Sequence, residues 1–202
     1  MNRAVDAVVV RPALPADAPG IAQVRVDSWR TTYRGMIPDA YLDGMKVEAS
    51  TAIWQRVLTA APNKTSVFVV ADDAGICGFA AGLMLAERKF DLDSELTAIY
   101  LTPGRQRTGL GRRLVAAVLA AQRAHGATGI LTWVIAGNRG ARTFYERLGG
   151  DILVEQPFQW DGMDLVEAGY GWRDLDALAA ACASAPASPS SHTPQTPEGR
   201  PA

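Results

Sequence analysis

Apolar and polar residues recur along this chain at two spacings, which predict an alternation of strands and helices. Short β-branched and apolar runs predict strands at 7–12, 66–71, 76–86, 95–101, 130–134, 152–155 and 165–172. Apolar positions three and four residues apart predict helices at 16–33, 38–45, 49–61, from 110 onward and from 138 onward. The turn residues at 72–75 predict a hairpin, so the sheet begins antiparallel. This order of elements predicts an α+β fold with a central mixed sheet flanked by helices.

The two ends of the chain differ in composition from its middle. We expect residues 1–6 to be a flexible N-terminus, 7–173 one domain, 174–183 a short Ala-rich helix, and 184–202 a disordered Ser/Pro-rich tail. A chain of 202 residues, of which 48 % are hydrophobic, can bury one sizeable core. The sequence therefore predicts a single domain followed by a tail that has no apolar face to dock.

Charge and composition narrow the possible partners. The formal net charge of −1 leaves no basic footprint for nucleic acid. Cys77 and Cys182 have no metal or redox spacing, so we expect two plain thiols and no metal. No apolar run reaches the roughly 18 residues of a membrane-spanning helix, and the first residues do not have the pattern of a signal peptide. We therefore expect a cytoplasmic protein with neither nucleic acid nor membrane as a partner.

The stretch richest in chemistry joins the predicted strand 95–101 to a strongly amphipathic helix. Gln106, Gly109 and Gly111 give it the pattern Q-x-x-G-x-G. The first N–H groups of a helix have no partner inside the helix, and the helix dipole favours negative charge there. The glycines remove side chains that would block a phosphate, and the arginines within 105–113 supply local positive charge. The pattern predicts a cradle for a diphosphate.

Three other kinds of loop contain glycines at similar spacing. A dinucleotide-binding loop needs a third small residue, but Leu114 stands at that place, and no acidic residue follows about twenty positions on. A P-loop needs a lysine followed by a hydroxyl residue, whereas Arg112 and Arg113 follow the last glycine. A purely structural turn with a glycine-rich helix start stays open.

A second motif completes a family pattern. Residues 138–149, N-R-G-A-R-T-F-Y-E-R-L-G, look like the N-x-x-A-x-x-F-Y-x-x-x-G helix of the GNAT superfamily of acyl-CoA-dependent N-acetyltransferases. The Q-x-x-G-x-G stretch resembles the pyrophosphate loop of the same family, and the two motifs have the family's order and separation. The resemblance covers roughly residues 7–173 and implies a central, largely antiparallel mixed sheet.

The resemblance also implies acetyl-CoA as co-substrate. The loop residues would present consecutive N–H groups to the diphosphate, and these are Gln106, Arg107, Thr108, Gly109, Leu110 and Gly111, with Arg112 beside them. Main-chain N–H groups near Ile99, Tyr100 and Leu101 would polarise the thioester carbonyl. Asn138 would hydrogen-bond the pantetheine arm or thioester region, and it equally suits the cap of the helix that it begins.

Two side chains are the expected catalytic groups. An alkylammonium has a pKa of about 10, so an amine that attacks a thioester at neutral pH benefits from a base. Glu95 resembles the family's glutamate for this role, with Asp91 and Asp93 as other candidates, and a merely solvated strand-end charge is the alternative. Tyr145 matches the family's tyrosine that protonates the leaving thiolate, and a core aromatic is its alternative.

The acceptor is least defined by the sequence. Trp29, Tyr33 and Arg34 lie in the region that caps the substrate cleft in the family, although aromatic residues at this spacing also suit a core. We expect transfer of an acetyl group from acetyl-CoA to a primary amine, a small molecule in the first instance, by direct attack through a tetrahedral intermediate. Acetylation of a protein N-terminus or lysine, and a non-catalytic acyl-CoA-binding regulatory module, are the alternatives. The protein would be a monomer or a homodimer.

Overall fold

The computed structural model describes residues 8–60 and 64–184, and a seven-stranded sheet lies at its centre. The strands are β1 (Val9–Pro12), β2 (Thr65–Asp72), β3 (Gly75–Lys89), β4 (Leu92–Leu101), β5 (Ile130–Ile135), β6 (Asp151–Trp160) and β7 (Met163–Trp172). The helices are α1 (Ala18–Thr32), α2 (Asp39–Gly44), α3 (Val47–Thr59), α4 (Leu110–Ala124), α5 (Arg139–Arg147) and α6 (Leu175–Ala183). Short 3-10 turns lie at Pro15–Asp17 and Pro103–Arg105. None of these helices is long and apolar enough to cross a membrane.

The sheet has the order β1-β2-β3-β4-β5-β7-β6, and its one parallel contact lies between β4 and β5. That parallel pairing covers only Ser94 opposite Ile130 and Glu95 opposite Leu131. Beyond these residues β4 remains paired with β3, and β5 remains paired with β7. The two central strands therefore part, and a gap opens in the middle of the sheet. The mixed, largely antiparallel sheet with flanking helices confirms the predicted α+β fold.

Side chains of β4 alternate between two hydrophobic cores, one on each face of the sheet. Leu96 and Ile99 pack with α4, α5 and α6, whereas Ala98 and Tyr100 pack with α1 and α3. A β-bulge interrupts the pairing of β3 with β4 at Ala81 and Gly82. Thr97 is the extra residue of this bulge, and for this reason Leu96 and Ile99, three positions apart, face the same core.

A third cluster joins the start of the chain to its last hairpin. Trp29 of α1 packs against Trp160 at the end of β6, with ring centroids 4.9 Å apart. Tyr41 of α2 contacts the same ring at 5.2 Å. The β6–β7 hairpin and the α1–α2 segment are thereby held together.

Several element ends differ from the predicted ones. β3 continues to Lys89 instead of ending at 86, and β6 runs from Asp151 to Trp160 instead of 152–155. In both cases a partner strand extends the pairing through polar residues that have no strand pattern of their own. α3 begins at Val47, two residues before the predicted start, and ends at Thr59. The predicted N-terminal segment 1–6 and all but Ser184 of the predicted tail lie outside the described residues.

Candidate active site

The predicted anion cradle lies at the start of α4, next to the end of β4. Gly109 is the N-cap residue with φ 87°, a left-handed conformation that favours glycine. The first helical main-chain hydrogen bond runs from Arg113 N–H to the carbonyl of Gly109 at 3.2 Å. Within the described part of the chain, the N–H groups of residues 107–112 donate to no main-chain carbonyl. This run of unpaired donors suits an anionic group.

Unpaired arginines surround this cradle. Arg107, Arg112 and Arg113 form no salt bridge with any residue in 8–60 or 64–184. Arg105 differs, because its guanidinium pairs with Asp72 at the β2–β3 turn. Arg105 therefore anchors the loop to the sheet, while the other three arginines leave positive charge available to a phosphate.

The two glycines of the cradle serve different purposes. A Cβ on Gly111 would lie 3.3 Å from the ring of Phe144 in α5, so this glycine permits close packing of α4 against α5. A Cβ on Gly109 would meet nothing nearer than the Arg112 guanidinium, at 3.9 Å. Only Gly109 therefore faces open space, and the prediction that both glycines clear room for a phosphate is corrected for Gly111.

Polar side chains tie the loop to the strand that precedes it. The Gln106 amide donates to the carbonyl of Leu101 at 3.1 Å. The Thr108 hydroxyl donates to the carbonyl of Arg105 at 2.7 Å. Leu110 is buried against the core, so its side chain fixes the start of the helix. These contacts hold the cradle at one end of the gap between β4 and β5.

Hydroxyl groups converge where the two strands part. Tyr145 of α5 is 4 % exposed, contacts Thr132 of β5 through its hydroxyl, and packs on Tyr170 and Trp172. Burial raises the pKa of Tyr145 to about 12. The phenol therefore keeps its proton at neutral pH and can act as an acid, but not as a base. Thr132 in turn donates to the carbonyl of Leu96 at 2.8 Å and bridges β4 and β5 at the base of the gap.

A chain of hydrogen bonds lines the other side of the gap. Trp29 Nε1 donates to the Tyr100 hydroxyl at 3.0 Å, and the Tyr33 hydroxyl is hydrogen-bonded to Tyr100 and to the Asn138 amide. Desolvation raises the pKa of both tyrosines. Asn138 also accepts from Ala141 N–H at 3.1 Å, which confirms it as the cap of α5. Its amide is thus held in place from two sides at the mouth of the gap.

Glu95 faces a different space, a pocket of about 560 Å³ on the opposite face of the sheet from Tyr145. Leu96, the next residue of β4, packs in the same core as Tyr145. Because neighbouring residues of a strand point to opposite faces, Glu95 faces away from that core. The pocket is lined by Lys89, Phe90, Glu95, Trp133, Gln156 and Glu167. Burial raises the pKa of the half-buried Glu95 carboxyl, Lys89 opposes this effect, and Glu167 adds to it. Glu95 and Tyr145 therefore approach the gap from its two sides.

Asp93 and Asp91, the other two candidates for the base, lie outside the pocket at Glu95. Asp93 accepts hydrogen bonds from the N–H of Thr128 at 2.9 Å, its hydroxyl at 2.7 Å and the N–H of Gly129 at 3.2 Å. These bonds, with Arg88 nearby, hold the pKa of Asp93 below its usual range despite burial. Asp91 is exposed in the β3–β4 turn. Among the three carboxylates, only Glu95 lines the pocket.

The residues expected to hold the acceptor lie elsewhere. Trp29 and Tyr33 are buried in the aromatic cluster, with ring centroids 4.9 Å apart. Arg34 is exposed and pairs with Asp39 at 3.1 Å and with Asp43, so it fastens the α1–α2 segment. None of the three lines the pocket at Glu95. Their role in holding an acceptor stays a prediction.

Sequence reasoning missed the residues that surround Glu95. Lys89 and Phe90 come from the β3–β4 turn, Trp133 from β5, Gln156 from β6 and Glu167 from β7. The one signal in the sequence was the alternation along the predicted strand 130–134, which places Trp133 on the face opposite Thr132. The remaining members become neighbours only through the order of strands in the sheet.

The fold and the site together define a class of protein. The central parallel strands of the mixed sheet part, and an anion cradle lies at one end of the resulting gap. Protonatable side chains lie on both sides of the gap. This arrangement suits a transferase that binds a phosphate-bearing donor. Comparison with known proteins gives the class its name.

Residues 26–150 match the sequence model of the acetyltransferase (GNAT) family. The uncharacterized N-acetyltransferase YuaI of Bacillus subtilis (strain 168) is 37 % identical over 172 residues, which are 85 % of this chain and 96 % of that protein. The chain therefore belongs to the GNAT family, as its two motifs predicted. It is an acyl-CoA-dependent N-acetyltransferase whose co-substrate is acetyl-CoA.

Solved structures agree with this fold. The PaiA N-acetyltransferase of Thermoplasma acidophilum, in complex with coenzyme A, has a TM-score of 0.62 and 18 % identity, with 80 % of this chain and 98 % of that chain covered. A GNAT superfamily phosphinothricin acetyltransferase from Sinorhizobium meliloti, in complex with AcCoA, has a TM-score of 0.61 and 20 % identity. That match covers 82 % of this chain and 87 % of the other.

Proposed function

We propose that this protein acetylates a primary amine of a small molecule, and that Glu95 and Tyr145 are its catalytic residues. The observation that carries the proposal is the position of Glu95, a half-buried carboxylate in a pocket that adjoins the base of the gap. A pocket of about 560 Å³ lies within the usual size range for small-molecule sites. A peptide acceptor would instead be expected to occupy a groove beside Trp29.

The cradle would hold the donor. Acetyl-CoA supplies an acetyl group on a thioester, which is reactive toward a neutral amine. The unpaired N–H groups of residues 107–112 fit its diphosphate, and Arg107 and Arg112 fit its negative charge. Asn138 and the main chain at Ile99, Tyr100 and Leu101 lie along the gap and would orient the acyl end. Beyond Glu95 this part of β4 has a strand partner only on the β3 side.

Proton transfers follow from the two catalytic side chains. Glu95 takes one proton from the attacking amine, whose nitrogen forms a bond to the acetyl carbon as the carbon–sulfur bond breaks. Tyr145 donates a hydrogen bond or its proton to the departing thiolate and regains a proton from solvent, and Glu95 releases to solvent the proton that it took. The products are an N-acetylated amine and the free thiol of CoA, so atoms and charge balance.

The pH dependence of a Glu95→Gln variant tests this assignment. Glu95 acts only when ionised, and burial raises its pKa, so wild-type kcat/KM falls as the pH drops through that raised value. The variant lacks this base and should lose roughly 10²- to 10⁴-fold at neutral pH. It should recover partly above about pH 9, where free amine becomes abundant without help. Release of CoA thiol from a panel of amines provides the measurement.

Asp91→Asn serves as the matched control, because it removes an exposed carboxylate four residues away without touching the pocket. A Glu95→Gln enzyme with a wild-type pH profile would refute the base assignment. Acetylation of peptides with high kcat/KM, and of no free amine, would favour the protein acceptor. If CoA binds and the whole panel stays unmodified, the non-catalytic module becomes the better interpretation.

A further inference from the structure

We propose, on the basis of the function above, that Glu167 makes this enzyme select amines that carry a second positive charge, with short diamines as the substrate class. Glu167 of β7 and Glu95 of β4 line the same pocket and interact electrostatically. Glu95 would accept a proton from the reacting nitrogen, and Glu167 remains free to bind a second charged group of the substrate. The pocket thus has two negatively charged places, of which catalysis needs one.

The charge of Glu167 is uncompensated by protein. Neither pocket carboxylate forms a salt bridge within the described residues. Gln156 donates to one oxygen of Glu167 at 2.9 Å and thereby orients the carboxylate without neutralising it. A half-buried carboxylate with a neutral partner favours a cationic ligand group, because such a group restores the interactions lost on leaving water.

Lys89 makes the two ends of the pocket unequal. Its charge acts on Glu95, since it opposes the rise in the pKa of that carboxyl. A lysine at this end disfavours an ammonium there and so favours the neutral amine that must attack the thioester. Lys89 is the one cation among the six lining residues, and it forms no salt bridge with Glu167. Lys89 would thus favour the neutral form of the nitrogen at Glu95, whereas Glu167 would favour a charged distal nitrogen.

The wall between the two carboxylates is aromatic. Trp133 and Phe90 have ring centroids 6.1 Å apart, and both line the pocket. The Trp133 ring lies over Gly169 of β7, where an added Cβ would come within 3.0 Å of it, so the ring is fixed beside the strand that carries Glu167. Such faces cover a methylene chain and attract an adjacent cation. A short carbon chain with an amine at each end matches this sequence of surfaces.

Three acceptors of equal chain length test the proposal. These are 1,5-diaminopentane, pentylamine and 5-aminopentanoate, which differ only in having a positive, neutral or negative distal group. We expect wild-type kcat/KM to be highest for the diamine, by roughly 10-fold over pentylamine, as for one charge-assisted hydrogen bond. In Glu167→Gln this ratio should fall by roughly the same factor, mainly through KM. Glu48→Gln, an exposed change on α3, should leave the ratio as it is.

The outcomes separate selectivity from catalysis. Calorimetric titration of each amine into the protein saturated with CoA measures the same preference without turnover. If no amine is acetylated but the diamine binds best and Glu167→Gln removes that preference, the proposed function fails and the selectivity stands. An unchanged ratio in Glu167→Gln overturns the proposal. Preference for 5-aminopentanoate that is lost in Lys89→Met also overturns it, because the pocket would then select an anionic group.

Discussion

The ring and the hydroxyl of Tyr145 have different surroundings. Three aromatic side chains enclose the ring, whereas the hydroxyl faces Thr132 beside the gap. The alternatives weighed from sequence, an acid and a core aromatic, therefore do not exclude each other. Packing fixes the ring, and the raised pKa keeps the proton available.

Removing this hydroxyl should affect turnover more than stability. We expect Tyr145→Phe to lower kcat by roughly 10²- to 10⁴-fold, because the departing thiolate loses its proton donor. The dissociation constant for acetyl-CoA should change little. Loss of the contact with Thr132 should lower the free energy of unfolding by about 1 kcal/mol. Steady-state kinetics, calorimetry and denaturant unfolding provide the three values.

Tyr170→Phe is the matched control. This tyrosine is equally buried, packs on Tyr145, and is bonded through its hydroxyl to Glu146 at 2.8 Å and Arg142 at 3.0 Å. Its loss should cost stability without the fall in kcat. Equal kinetic effects of the two substitutions would reduce Tyr145 to a packing residue.

Single residues of the site were predictable to different degrees. Tyr145, Asn138 and the cradle could be identified because each belongs to a contiguous motif. Glu167 and Gln156 could not, because they lie 72 and 61 positions after Glu95 in the printed sequence and approach it only across the sheet. Arg34 was predicted from the sequence as an acceptor-binding residue. In the structure its guanidinium pairs with Asp39 and Asp43, and the sequence pattern did not predict these ion pairs.

At the scale of elements, the two ends of α4 have different roles. Its first turn presents unpaired N–H groups and Arg112 to the cradle, and its last turns pack against α6. Arg123 in those last turns pairs with Asp176 of α6 at 2.7 Å. An arginine near the last turns thus binds a neighbouring helix, whereas we expect Arg112 in the first turn to bind a ligand.

This division predicts different effects for two arginine substitutions. Arg112→Gln should weaken CoA binding by roughly 3- to 10-fold at low salt, since a charge beside the cradle is lost. The weakening should shrink as salt is added, because the lost attraction is screened. Arg123→Gln should leave CoA affinity unchanged and alter only stability, slightly, as for an exposed pair. Calorimetry at two salt concentrations measures both, and equal effects would place the charge of Arg112 outside the cradle.

Most elements could be predicted, and their ends could not. Periodicity within a window identifies a strand or helix, which is why β2, β5 and α4 appear where the pattern places them. Pairing with the next strand across a tight turn extends β3 to Lys89 and β6 to Trp160, beyond the runs that the periodicity identifies. The parting of β4 from β5 was likewise absent from the local pattern, because it depends on pairing between residues 35 or more positions apart.

At the scale of the whole molecule, the described chain ends next to the functional helix. α6 caps its first turn through Asp174 and buries Leu175, Leu178 and Cys182 against the core. The charge of Arg112 acts on the Cys182 thiol, whose pKa burial raises to about 11. The last turn of α6 therefore lies near the first turn of α4, and the composition of residues 185–202 predicts no docked structure for them.

Truncation after Ser184 tests that prediction. We expect the melting temperature and the affinity for CoA to remain as in the full chain, because residues 185–202 have no apolar face to bury. Truncation before Leu175 is the contrasting variant and should lower the melting temperature, since it exposes the core under α6. A large loss of CoA affinity in the first variant would show that the tail takes part in binding.

The gap between β4 and β5 has a thermodynamic consequence for the whole molecule. Strand pairing between β4 and β5 ends at Glu95 and Leu131, so a donor that lies in the gap would break no hydrogen bond between these strands. A protein that had to open its sheet would bind with an affinity reduced by the small fraction of open molecules. A gap that belongs to the strand pairing itself spares the donor this loss of affinity.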